Sequence, residues 1–266
     1  MRQSVPGIVF SEKFTTASNY LQRDVTWELF LPPMGKKSGE THLLILNDGQ
    51  NAEELRLAQI LADFAEHPSL VLAAVHAGSE RKMEYGIASK TDYRGRGAKA
   101  GAYTSFIVSE LLPFLHRKLA GFSLSGIWMA GFSLGGLSAF DIAWNHPEIF
   151  SGAGLFSGSF WWRSLDQDDP QYRDQQHRIM HRLVRESSKR PGMRFFFQCG
   201  ALDEARDRNR NGIIDSIDDT LDLIHELESL GYSRGREIQY LELADGRHDI
   251  PTWSRALPEF FTWAFA

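Results

Sequence analysis

Gly126-Ile127-Trp128-Met129-Ala130-Gly131-Phe132-Ser133-Leu134-Gly135-Gly136-Leu137 is the stretch that decides how this chain folds. An apolar run leads into Gly131-Phe132-Ser133-Leu134-Gly135, a G-x-S-x-G pattern, and a helical pattern follows to Trp144. A strand that turns sharply into a helix at a serine lifts the hydroxyl above the sheet edge, within reach of a base. Glycines flank the serine because in so tight a turn a Cβ collides with neighbouring backbone. The same letters also describe a plain small-residue turn before a helix. The rest of the chain therefore has to supply a base, an acid and oxyanion donors.

Working outward, apolar runs at 25–31, 42–47, 70–75, 126–132, 152–156, 194–199 and 237–243 read as strands. Several are nearly continuous in Val, Ile, Leu and Phe, as strands covered on both faces are. Helical patterns at 51–64, 98–119, 134–145, 171–189, 216–230 and 251–264 alternate with them. In the fifth, Leu223, Ile224, Leu227 and Leu230 recur at the three-and-four spacing of a buried stripe. This alternation predicts an α/β fold, a mostly parallel central sheet with helices on both faces. Segments 8–14 and 25–31 have no helix between them and predict an antiparallel hairpin at the sheet edge. No repeat or long linker interrupts the 266 residues, which predicts one domain over 1–266.

Bulk properties narrow the function classes. A formal net charge of −5 argues against broad nucleic-acid binding. A single cysteine, Cys199, excludes an internal disulfide framework; beside Phe195-Phe196-Phe197 it reads as a buried strand residue. No apolar run approaches the roughly 18–20 residues a membrane span needs, so no membrane association is expected. Residues 1–10 lack a basic patch followed by an apolar core, which predicts a cytoplasmic protein. The oligomeric state stays open.

A serine hydroxyl is a poor nucleophile until a base takes its proton and a third group orients that base. Where the elbow is used, the partners follow in the order serine, acid, histidine, each on a loop after a strand. Of nine histidines only His225 and His248 come late enough, and His225 falls inside the expected helix 216–230. His248 follows the expected strand 237–243 through Ala244-Asp245-Gly246-Arg247, the placement a base requires. The acid is sought after the strand 194–199, in Gly200-Ala201-Leu202-Asp203-Glu204; Asp203 is the first choice, Glu204 the reserve and Asp207 a third. Asp249 is too near His248 to orient its ring and reads as exposed or as a helix cap. A tetrahedral oxyanion needs preorganised N–H donors. Leu134, following the nucleophile, is one; Gln50, in Asp48-Gly49-Gln50-Asn51 after strand 42–47, is the other.

Beyond the elbow come Leu137-Ser138-Ala139-Phe140, His146-Pro147-Glu148-Ile149-Phe150 and Phe156-Ser157-Gly158-Ser159-Phe160-Trp161-Trp162. With Leu46-Asn47-Asp48-Gly49-Gln50-Asn51, Arg81…Glu84-Tyr85, Glu110-Leu111-Leu112-Pro113-Phe114 and Gly246-Arg247-His248-Asp249…Trp253, they span nearly the whole chain. In that order they resemble the esterase family of α/β-hydrolases that includes esterase D and the enterochelin esterases. The resemblance implies the α/β-hydrolase fold and a Ser133–Asp203–His248 triad. Some enterochelin esterases work with a serine–histidine pair alone. Where the family commonly has Gly-Gly-His-Asp this chain has Gly246-Arg247-His248-Asp249, which alters the loop beside substrate.

Two further constellations stand out. Asp207, Asn209, Asn211, Ile213, Asp215 and Asp218 follow the ligand spacing of a calcium loop, with Gly212 at the sharp turn. Arg208 and Arg210 dilute its charge, and an Asn-Gly turn feeding a capped helix explains the same letters. A structural calcium is one expectation; no cofactor is expected for catalysis. Residues 159–192 sit where a small cap is expected, with Phe160, Trp161 and Trp162 as an aromatic wall beside Ser133 and Arg81 and Tyr85 as further pocket residues. In the helix expected at 171–189, Arg173, His177, Arg178, His181, Arg182, Arg185 and Lys189 form either a solvated face or a lure for an anionic ester such as a ferric catecholate siderophore. The reading is a serine carboxylic-ester hydrolase acting on a small-molecule ester. Acyl transfer and feruloyl or acetyl-sugar ester cleavage are alternatives, as is a calcium-stabilised binding module on a decayed hydrolase fold.

Overall fold

A computed structural model describes residues 9–32, 40–64 and 69–266. Residues 1–8, which hold most of the amino-terminal stretch read for a signal and the first residue of the expected hairpin, lie outside the described residues. Eight strands form one sheet: β1 (Phe10–Ser18), β2 (Arg23–Leu31), β3 (Thr41–Asn47), β4 (Ser69–Val75), β5 (Leu124–Phe132), β6 (Gly152–Phe156), β7 (Arg194–Leu202) and β8 (Ile238–Arg247). Their spatial order is β1-β2-β4-β3-β5-β6-β7-β8. From β4 onward all neighbours run parallel, while β1 and β2 form the expected antiparallel edge hairpin. Phe14 of β1 stacks on Trp27 of β2 with ring centroids 4.4 Å apart, a cross-strand pair that fixes the hairpin register.

Helices α1 (Leu57–Asp63), α2 (Arg81–Glu84), α3 (Ala100–Ser105), α4 (Leu112–Lys118), α5 (Leu134–Asn145), α6 (Asp174–His177), α7 (Ile179–Arg185), α8 (Asp215–Ser229) and α9 (Ile250–Phe265) complete the fold. The near-continuous apolar strands are buried on both sides. Leu43 and Ile45 of β3 and Phe195 and Phe197 of β7 face one core with Phe106, Phe140 and Leu223. Leu44, Leu46 and Phe196 point the other way, to α1 and α9 through Leu61, Phe260 and Phe261. Two-residue periodicity thus builds two cores from one sheet. Among the described residues no helix is long and apolar enough to cross a membrane.

Three expected elements differ. The helix over 98–119 contains a π segment, Phe106–Leu111, between α3 and α4. Pro113, with no N–H to donate, sits just after it, where the regular ladder is already weakened. The last strand runs on through Asp245-Gly246-Arg247, which had read as a loop, because a register shift lets Leu202 pair with Arg247. That shift needs glycine: a Cβ on Gly200 meets the Gly246 carbonyl carbon at 2.5 Å, and one on Gly246 meets Gly200 Cα at 2.9 Å.

The expected helix 171–189 breaks at Arg178, whose backbone is extended, into α6 and α7. Four of its basic residues turn to carboxylates and carbonyls of the protein itself. Arg178 is buried and pairs with Asp219 at 2.9 Å and Asp222 at 2.7 Å on α8. His181 is fully buried and donates from Nε2 to the Asp219 carbonyl at 2.8 Å. Arg185 and Lys189 pair with Glu226 and Glu237. This side of the segment is a joint between helices.

Candidate active site

At the end of β5 the chain turns into α5 through Ser133, whose φ is 55° and ψ −122°. A non-glycine residue held there stores roughly 1–3 kcal/mol of backbone strain and persists only if its surroundings dictate it. They do: Ser133 N–H donates to the Phe156 carbonyl at 2.9 Å, and its own carbonyl accepts from Gly136 at 3.0 Å and Ser159 at 3.1 Å. A Cβ on Gly131 comes within 2.4 Å of the Gly135 carbonyl carbon, so the crossing of strand and helix requires glycine. Every residue from Leu134 to Trp144 is buried, which locks the helix behind the serine.

The turn after β3 is tied to the same helix by buried polar groups. Arg81 grips Asp48 with two hydrogen bonds of 2.6 and 2.7 Å, and its Nη2 reaches the Phe132 carbonyl at 3.4 Å. Asp48 is 2% exposed and left-handed at φ 63°. Its N–H donates to the Tyr85 hydroxyl at 3.2 Å. Tyr103 donates to Asn47 Oδ1 at 2.6 Å, and Asn47 Nδ2 donates to the Gly135 carbonyl at 2.8 Å. Gly86 N–H and Ala88 N–H donate to Ser138 and Asp141 of α5, each at 2.8 Å. Burial pushes the Asp141 carboxyl up to about 7 against the pull of those hydrogen bonds. The N–H groups of Gln50 and Leu134 open their helical turns, where no earlier carbonyl of the same helix can accept them.

Across the sheet, β7 delivers Asp203 and β8 delivers His248. Both oxygens of Asp203 are buried without a hydrogen-bond partner among the described residues. Loss of solvation raises its pKa; the Ser157 hydroxyl, the Gly200 backbone and the charge of His248 oppose this. His248 is exposed by surface area, yet its ring stands edge-on to Trp253 with centroids 5.3 Å apart. Loss of solvation lowers its pKa, Asp203 pulls it up, and Arg81 pushes it down. The charges acting on this ring are those of Asp203, Arg81 and Asp249. Asp249 caps α9, accepting from Thr252 N–H at 3.0 Å.

Ser133 and His248 line one cleft of about 540 Å³ with Gln50, Arg81, Phe132 and Trp253. The aromatic side chain lining this cleft is Trp253, backed by the buried Phe132 stacked on it at 5.0 Å, not the expected run at 160–162. Phe160 and Trp162 are fully buried, Phe160 against Phe140 and Phe197, and give the cleft no surface. Tyr85 is fully buried too and acts behind the turn. Trp161 is half-buried and lines a different cleft. Sequence reasoning missed Asp48 and Ser157 as site groups. Ser157 accepts from Trp253 Nε1 at 3.0 Å and stands beside Asp203, at a backbone φ of 45°. Nothing in the composition of its surroundings marks it.

In the loop read for calcium, Asp207 accepts from Asn211 N–H and Gly212 N–H at 3.1 and 2.9 Å. Asn209 and Asn211 donate their side-chain amides to Asp218 at 2.8 and 2.9 Å. Asp215 instead accepts from Arg208 N–H at 2.7 Å, and the Ile213 side chain is exposed. Among the described residues no group of three or more His, Cys, Asp or Glu side chains is placed to hold a metal.

Comparison with solved structures finds the same fold at low identity. A ferulic acid esterase matches with a TM-score of 0.68 and 19% identity, covering 95% of this chain and 96% of that one. The enterobactin esterase of Shigella flexneri, solved in the presence of enterobactin, matches with a TM-score of 0.72 and 19% identity over 98% of this chain and 61% of its own. A siderophore hydrolase from Aspergillus nidulans gives 0.67 and 16% identity over 98% and 96%. Comparison with curated protein sequences found no match. The family model described as "Putative esterase" matches residues 18–264, and the elbow sits within that span. The chain belongs to that family, with the α/β-hydrolase fold of a carboxylic-ester hydrolase.

Proposed function

We propose that Ser133 is the nucleophile of a serine esterase working through an acyl-enzyme. His248 takes the hydroxyl proton as Ser133 attacks the ester carbonyl, and returns it to the leaving alcohol. It then deprotonates a water that releases the acid. Asp203 accepts the other ring N–H of His248 and stabilises the imidazolium; its two orphaned oxygens await such a donor. The N–H groups of Gln50 and Leu134 hold the oxyanion in both steps. The observation that carries this reading is the enforced left-handed φ of Ser133 in a cleft shared with His248. Because His248 is exposed, water reaches the acyl-enzyme, which favours hydrolysis over transfer. Replacing Ser133 with Ala abolishes p-nitrophenyl acetate turnover in a folded protein; retained turnover refutes the assignment.

For the alcohol and acid of the substrate, the relatives offer enterobactin-type and ferulic-acid esters. Burial of Arg178 and His181, and the pairing of Arg185 and Lys189 with Glu226 and Glu237, weaken one argument for an anionic siderophore. A panel holding a ferric catecholate siderophore and a feruloyl sugar ranks the two by kcat/KM. We further propose that the 207–218 loop carries a structural calcium, supported by the convergence of Asp207, Asn209, Asn211 and Asp218. Saturating calcium at about 100 times its Kd adds about 2.7 kcal/mol. An unfolding midpoint equal in calcium and in chelator removes this proposal.

A further inference from the structure

Ser133 Oγ has a second hydroxyl beside it. Ser159 Oγ stands 3.4 Å away, and Ser159 is 2% exposed, closed off from solvent. Among the described residues Ser133 Oγ is the one hydrogen-bond partner of that hydroxyl. His248 lines the cleft with Ser133, whereas Ser159 lies behind it.

The placement of Ser159 is enforced from both sides. Its N–H donates to the Ser133 carbonyl at 3.1 Å, which ties it to the elbow itself. Its own carbonyl accepts from Trp162 N–H at 3.2 Å. Phe160 and Trp162 are fully buried, and Phe160 packs edge-on to Phe140 of α5, the helix that Ser133 opens. These two buried rings, which give the cleft no surface, thus anchor the hydroxyl next to the nucleophile.

Counting protons sets the direction of the bond. Each hydroxyl has one proton to donate. If Ser133 donated to Ser159, the buried Ser159 proton would have no acceptor among the described residues, which is costly in a closed site. If Ser159 donates to Ser133, its proton is satisfied and the Ser133 proton is left for His248. A donor fixed on the attacking oxygen stabilises it most when that oxygen carries charge.

We propose that Ser159 is a catalytic hydrogen-bond donor to Ser133 Oγ, a role that rests on the serine-esterase reading. It keeps its own proton throughout. As Ser133 Oγ bonds to the ester carbonyl carbon, the carbonyl electron pair moves to its oxygen and the Ser133 proton to His248. The bond from Ser159 is strongest while Oγ loses that proton. In deacylation Oγ leaves the acyl carbon with the bonding electron pair, meets the same donor and regains a proton from His248.

The test is the rate at which a fluorophosphonate labels Ser133, a reaction in which Oγ bonds to phosphorus, its proton passes to His248 and fluoride leaves. Wild type, Ser159→Ala and Ser159→Thr, each shown folded by circular dichroism, are compared between about pH 5 and 9. Ser159→Ala lowers the second-order labelling rate about tenfold at every pH. The midpoint of the acidic limb, set by His248, stays where it was. Ser159→Thr keeps the hydroxyl and recovers most of the loss. A labelling rate unchanged in Ser159→Ala overturns the inference while the esterase reading stands. So does a loss that Ser159→Thr shares, or one that comes with a shifted midpoint, since displaced packing accounts for either. A wild type that takes no label on Ser133 removes the esterase reading, and the role of Ser159 with it.

Discussion

The two halves of the catalytic cleft are built on opposite terms. On the serine side three buried polar groups are paired: Asp48 with Arg81 and Tyr85, Asn47 with Tyr103 and Gly135, Asp141 with Ala88 and Asn145. On the acid–base side both oxygens of Asp203 are buried without a close hydrogen-bond partner among the described residues, with Ser157 and the Gly200 backbone nearby, and His248 sits exposed against Trp253. The first arrangement fixes geometry before substrate arrives. The second leaves the proton-transfer groups free to adjust when it does. In the proposed mechanism, preorganisation is thus concentrated where charge develops on the oxyanion.

The largest effects come from removing the reacting groups. Ser133→Ala and His248→Ala each lower kcat for p-nitrophenyl acetate by about 10⁴-fold or more, measured by steady-state kinetics on protein shown to be folded by circular dichroism. Asp203→Asn costs about 10⁴-fold by leaving the imidazole in the wrong tautomer, and Glu204→Gln costs far less. Equal losses in these two would erase the distinction between Asp203 and its neighbour.

Breaking the serine side at Arg81 moves stability as well as rate. Arg81→Gln strands the buried Asp48 carboxylate and lowers unfolding free energy by about 3 kcal/mol, read by urea denaturation. The same variant acts on pH. Because the Arg81 cation lowers the His248 pKa, its removal raises that pKa and shifts the acidic limb of kcat/KM to higher pH. Asp203→Asn shifts the limb the other way, since the carboxylate raises the same pKa.

A smaller effect belongs to Asp141, whose folded pKa of about 7 lies above its unfolded value. The folded state therefore holds a proton that the unfolded state has lost, and stability falls as pH rises from about 4 to 7. Asp141→Asn flattens this slope and gains about 2 kcal/mol over the parent at pH 8, by denaturation at two pH values. An unaltered slope shows that the serine side carries no such proton.

The comparison also explains what the sequence made legible. Ser133, Asp203 and His248 follow strands whose apolar runs are unmistakable, and their chain order is local information. Phe160 and Trp162 read as a pocket wall because an aromatic cluster looks the same whether it faces a cleft or Phe140 and Phe197. Arg178 and His181 read as a basic face because their partners, Asp219 and Asp222, lie some forty residues away on α8. Arg247 extends β8 only through pairing with Leu202 across a bulge that no single-strand pattern contains. Tertiary pairing decided each of these.

The central claim is that Ser133 is an activated nucleophile, and covalent labelling tests it most directly. The folded wild-type protein, treated with a fluorophosphonate and mapped by peptide mass spectrometry, is predicted to carry one label on Ser133, absent in His248→Ala. A folded protein left unlabelled, or labelled on another residue with Ser133 untouched, contradicts the account.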